Sequence, residues 1–159
     1  MTTRNDYPPN WAVLSGASVT AELVPDANWT SKPVIEIWGN REGMLALGNL
    51  LAWVSSAAAD TESLSITGLP FVHAKSSLSV TVVQPMRRSD TSGTLVRMDK
   101  GKQFRWLIHD DVLRQEALNI LDIAFCPDGY CCEHFHVRTE PPSECDLLFA
   151  RNDMGQYTG

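Results

Sequence analysis

At 159 residues, 43% apolar and 20% charged, the chain has the bulk for one domain that buries about 68–70% of the surface its unfolded form would expose. No apolar run reaches the roughly 18 residues a membrane-spanning helix needs, and the opening MTTRNDYPPN lacks the apolar stretch of a secretory signal, so a cytoplasmic protein with no membrane partner is expected. The net charge of −6 is uneven: residues 1–108 hold ten basic against nine acidic side chains, residues 109–159 three against ten, a field that repels nucleic acid and steers basic partners, although acid also serves solubility alone.

Residues 1–10, with Pro8-Pro9, read as a loose lead. Within Ser18–Val24, Val19, Ala21 and Leu23 alternate as one face of a short strand that Pro25-Asp26 stops. The β-branched and aromatic run Val34–Trp38 is a second strand. Gly39-Asn40 turns the chain, and Asn40 caps a helix. In that helix Met44, Leu47, Leu51, Val54 and Ala58 recur at spacings of three and four, an apolar stripe that ends near Ala57–Asp60. Gly43 and Gly48 each cost about 1 kcal/mol against Ala inside a helix, which predicts close packing against a neighbour. Ser63–Thr67 and Leu78–Val83 read as strands, the latter with Leu78, Val80 and Val82 toward the core. Residues 84–93, containing Pro85 and Arg87-Arg88, mark an internal boundary.

Beyond it, Thr94–Met98 and Phe104–Ile108 predict a hairpin. Asp110 or Asp111 caps a helix carrying Leu113, Ala117, Ile120, Leu121 and Ala124 on one face, and Pro127-Asp128-Gly129 ends it. Cys132–Arg138 and Asp146–Arg151 are two more strands. The expected class is α+β over a single domain, 1–159. Its simplest architecture is a mixed or largely antiparallel sheet with two helices packed on one face. Two similar strand–helix–strand–strand halves, 11–84 and 93–153, are an open topological option, since the parts share no residue-level identity.

Chemistry-bearing residues concentrate late. Cys126, Cys131, Cys132 and Cys145 lie within 20 residues, and in a chain without a secretory signal they are expected as reduced thiols. On a strand, Cys132, His134 and His136 share a face and could chelate an ion, but the spacing is not that of a zinc finger or ribbon. The plainer reading makes Phe135 and Val137 core and the histidines surface, so no metal and no cofactor are assigned. A Cys–His nucleophilic pair with His73, His109 or His134 finds no feature that would depress the thiol pKa. Asp110-Asp111 is explained by helix capping, and phosphate-binding and hydrolase motifs are absent. Five tryptophans, Trp11, Trp29, Trp38, Trp53 and Trp106, serve equally well as packing or as partner anchors.

The stretch VIEIWGNREGMLALGNLLAWV resembles the opening of a group of small bacterial immunity proteins encoded beside secreted polymorphic toxins. EHFHVRT followed by PSECDLLFARND is similar to that group's closing hairpin, with its H-x-H strand. The chain departs from the shorter members by an insertion around Phe71–Gln103. The resemblance implies a non-enzymatic protein that binds and blocks a cognate toxin, plausibly a nuclease whose basic cleft an acidic surface would mimic phosphate to fill. Asp128, Glu133, His134, His136, Glu140, Glu144, Asp146 and Asp153 would then supply the interface. The alternative is a small metal- or cysteine-dependent enzyme using Cys126–His136.

Overall fold

In the first half local rules act in sequence. β1 (Val19–Val24) and β2 (Val34–Gly39) pair antiparallel, from Val19 opposite Gly39 to Val24 opposite Val34. Asn40 is extended (φ −72°, ψ 173°) and opens α1 (Arg41–Val54). Its Oδ1 accepts from the Gly43 N–H at 2.8 Å and from the Ser18 N–H at 3.1 Å, while its Nδ2 donates to the Gly16 carbonyl at 2.7 Å. One side chain thus caps the helix and ties it to the approach to β1. β3 (Ser63–Ser65), β4 (Val72–Ala74), a 3-10 turn at Lys75–Ser77 and β5 (Ser79–Val83) complete this half. The second half runs β6 (Thr94–Met98), β7 (Gln103–Leu107), α2 (Asp110–Ala124), β8 (Tyr130–Phe135), β9 (Arg138–Thr139) and β10 (Asp146–Asn152). The computed structural model describes residues 16–25, 33–56, 63–83, 93–98, 101–127, 130–135, 138–139 and 145–152, with the backbone alone for 130–135 and 138–139.

The α+β class and the two helices stand as expected, but the strands form two five-stranded sheets and not one. Their orders are β4-β1-β2-β10-β8 and β3-β5-β7-β6-β9. Replacing each strand of the first sheet by its counterpart in the other half (β1 by β6, β2 by β7, β3 by β8, β4 by β9, β5 by β10) yields the second sheet. The pairing senses match as well. The hairpins β1–β2 and β6–β7 are antiparallel, β1–β4 and β6–β9 parallel, β2–β10 and β7–β5 parallel, β10–β8 and β5–β3 antiparallel. The halves are therefore topological repeats that have exchanged strands: each sheet takes three strands, a hairpin and a short edge strand, from one half and two strands from the other. A ten-stranded open sheet would also sit at the size where twisted sheets split, and two helices could not cover it.

Aligning the helix starts superposes the buried pattern. Met44 matches Leu113, Gly48 matches Ala117, Leu51 matches Ile120, and Val54 matches Ile123. In the strands before the helices, Ile35 matches Phe104 and Ile37 matches Trp106. All but Gly48 lie in one hydrophobic core to which both sheets and both helices contribute. Trp106 and Phe149, from different sheets, pack with ring centroids 5.8 Å apart. The two helical glycines are where the helices approach neighbours most closely: a Cβ on Gly48 would lie 2.8 Å from the Leu121 side chain, and one on Gly43 2.5 Å from the Ser18 carbonyl. Neither helix has a basic residue in its last turn. Instead Arg114 Nη2 donates to the Ser55 carbonyl at 3.3 Å, and Arg151 Nη1 donates to the carbonyls of Ala124, at 2.9 Å, and Cys126. Ser55 and Ala124 are matched positions, so both helix C-termini receive a guanidinium from elsewhere in the fold.

Several local expectations shift. α1 stops at Val54, and Ala58 lies outside the described residues. The cap of α2 is His109, with Asp110 and Asp111 in the first turn. Ile123 and Glu116 join its buried face, while Leu121 is half-buried. β3 ends at Ser65 because side chains take over its hydrogen bonding: Ser65 Oγ accepts from Gly68 N–H at 3.1 Å, and Thr67 Oγ1 accepts from Val80 N–H at 3.1 Å. The three-residue β4 is too short to show a period.

Candidate functional site

Most of the residues expected to meet a partner, namely Asp128, His136, Glu140, Glu144 and Asp153, lie outside the described residues. Glu133 and His134 are neighbours on β8, opposite Phe149 and Leu148 of β10. Phe149 belongs to the main core and Leu148 to a small cluster with Val34. Asp146, half-buried, starts β10; Arg151 at the other end meets the C-terminus of α2, about 17 Å away by strand rise.

The described acid of the C-terminal third lies chiefly on α2. Asp110, Asp111, Glu116 and Asp122 stand against Arg114 alone within the helix. Asp111 and Asp122 are exposed, Asp110 is half-buried, and Glu116 is buried. Arg114 is exposed as a residue while its guanidinium reaches the end of α1. The same helix and its cap carry the two large apolar side chains that stand out in solvent among the described residues, Leu118 at 48% exposure and Phe125 at 62%. Among the described residues the tryptophans, which the sequence offers as partner anchors, are not the exposed aromatics. Trp38 and Trp106 are buried, Trp53 packs against the core, and Trp11 and Trp29 lie outside the described residues. Phe125 was legible only as the residue after the apolar stripe.

At the start of α2, His109, Asp110 and Asp111 could offer three ligand atoms within 4.8 Å. Capping accounts for the geometry: His109 Nδ1 lies 2.8 Å from Asp110 Oδ1, and the Asp111 N–H donates to Asp110 Oδ1 at 2.7 Å and to His109 Nδ1 at 3.4 Å. Cys126 departs from the expectation of reduced thiols, while Cys145 meets it. Cys126 is disulfide-bonded, which withdraws its thiol from both metal binding and nucleophilic attack in this oxidised form. Cys145 is free and buried, and burial pushes its thiol up to about 11, so it is protonated and unreactive near neutral pH. The side chains of Cys131 and Cys132 are not among those described.

One further ionisable group is out of place for a surface role. Glu36 is buried in β2, directly opposite Glu22 of β1, and on the same face as buried Trp38, whose Nε1 has no hydrogen-bond partner among the described residues. Desolvation first, and the Glu22 charge second, raise its pKa above 4.5. The folded state therefore binds this proton more tightly than the unfolded state. Stability from the group is present in full below the unfolded value and is lost as pH rises through the folded value. Glu36→Gln should leave stability nearly unchanged in mild acid and raise the melting temperature near neutral pH. Paired thermal melts across that window check it, and an equal shift at every pH would contradict it.

In comparisons with known proteins, no family model, no curated protein and no solved structure gives a match.

Proposed function

We propose that the chain is a binding protein of the immunity type: it neutralises a cognate secreted bacterial toxin by occupying that toxin's basic working surface, and carries out no chemistry of its own. The observation that supports this reading is where the acid lies. The last 51 residues hold ten acidic against three basic side chains, and their described helical part sets Asp111 and Asp122 in solvent. An excess of carboxylate speeds encounter with a basic partner and suits sites built for phosphate. It also disfavours nucleic acid as the chain's own ligand. The sequence resemblance to immunity proteins is what names the toxin as the basic partner.

The test is protection. A toxin-type domain encoded beside this chain's gene, expressed in a sensitive host, should stop growth, and co-expression of this chain should restore it. Unchanged arrest with the chain present at matching levels would count against the reading.

A further inference from the structure

Cys126 is disulfide-bonded and Cys145 is free, and the chain has only Cys131 and Cys132 besides, so the bond joins Cys126 to one of that adjacent pair. It ties the residue after the cap of α2 to the start of β8. The repeat shows that the architecture does not need it. With the helix starts aligned, Cys126 matches Ala57, and with the strand pairings aligned, Cys132 matches Ser63, which Glu62 precedes. The first half makes the same helix and the same edge pairing with no cysteine at those places. The bonded positions are five or six residues apart, and closing so short a loop removes little entropy from the unfolded chain. The two sides of the bond are held unequally. Arg151, itself buried, donates from Nη1 to the carbonyls of Ala124 and Cys126 and fixes the α2 side whatever the state of the sulfur. β8 is an edge strand, paired among the described residues with β10 alone. Cys126 is half-buried where Cys145 is buried, so a small reductant can reach its sulfur.

We propose that the Cys126 disulfide is a redox switch: a dithiol reductant opens it in the folded chain and releases the start of β8 from the end of α2, and a disulfide oxidant closes it again. The opening step is thiol–disulfide exchange. A thiolate of the reductant attacks one sulfur of the bond and displaces the other as a thiolate. The second thiolate of the reductant then displaces the first protein sulfur, which leaves two protein thiols and the reductant as a disulfide. Two electrons and two protons pass to the chain. Closure by an oxidised glutathione-type disulfide is the reverse. Such a bond stands in an oxidising compartment and opens in a reducing one, so the attachment of β8 follows the surroundings. Reduction leaves the fold in place, because the Arg151 clamp, the β8–β10 ladder and the shared core do not depend on the sulfur. The inference is independent of the inhibitor reading above.

The experiment uses the full chain purified without reductant. Unfolded in iodoacetamide it should gain two alkyl groups by mass, and four after prior reduction. The folded chain treated with dithiothreitol should lose the bond, keep its circular dichroism, and melt lower by less than about 10 °C. Amide hydrogen exchange should rise about tenfold over 127–135, stay unchanged in α1 and in β5 to β7, and return to its starting rate on reoxidation with glutathione disulfide. Cys126→Ala, which installs the first half's residue, should exchange as fast there without reductant and not respond to it, whereas Cys145→Ala should respond as wild type. Should Cys126→Ala fail to fold, reduction of the wild-type chain decides alone. Four alkyl groups without reduction would overturn the proposal. So would a bond that dithiothreitol opens only in the unfolded chain, or a reduced chain whose exchange over 127–135 stays within about twofold of the oxidised one.

Discussion

Cut between β5 and β6 and expressed separately, residues 1–88 and 89–159 should each remain unfolded, and mixing them should restore the native fold. The expectation follows from the strand exchange. The first half alone has β4, β1 and β2 of one sheet and β3 and β5 of the other, so β2 loses β10 and β5 loses β7. Each of those parallel ladders holds a central strand against its neighbour: β2 pairs with β10 from Val34 opposite Asp146 to Gly39 opposite Arg151, and β5 with β7 from Ser79 opposite Gln103 to Val83 opposite Leu107. A half deprived of them exposes the apolar face of α1 and two unpaired edges, a state that aggregates or stays open. Together the pieces have every ladder and only one connection missing, whose closure costs little in entropy beyond that of association. Circular dichroism and amide NMR of each fragment and of the mixture provide the measurement. A stable native-like spectrum from either fragment alone would show that the halves are independent and the exchange incidental.

Replacing Trp106 by Ala should cost about 3–5 kcal/mol, the range for deleting a fully buried large aromatic. Trp106 is completely buried on β7, and its ring meets Phe149 of β10 across the two sheets. Its indole also lies 2.8 Å from where a Cβ on Gly93 would stand, so the backbone beside it is fitted to the ring. Against a typical stability of 5–15 kcal/mol the loss would leave a marginal protein. Denaturant unfolding would show it as a large fall in midpoint. A cost near that of a surface substitution would mean that the two sheets do not share a core.

What the sequence made legible, and what it hid, follows from the range of the forces involved. Both helices, the cap Asn40 and the hairpin of β6 and β7 are encoded within a few residues, and each was readable. The packing role of Gly43 and Gly48 was readable too, because a glycine inside an apolar stripe has a cost that needs an explanation. The doubled topology was visible as a repeated order of elements. The exchange was not, because nothing local tells β5 to pair with β7 in place of β1 or β2. β4 was hidden by its length, and its pairing with β1 is set by the turn at Leu69–Phe71 that delivers it. Burial of Glu36 was likewise hidden, since an alternating strand with one carboxylate reads as having a solvated face. At the candidate site the late acid was legible as a charge imbalance.

The proposed role is occupancy without turnover. The most direct measurement is a titration of the purified toxin-type domain's activity with purified chain. Occupancy predicts that activity falls linearly to its floor at one equivalent, that it returns on dilution, and that raising the salt concentration weakens the inhibition. Progressive, irreversible inactivation by a small fraction of an equivalent would contradict it and make the protein an enzyme.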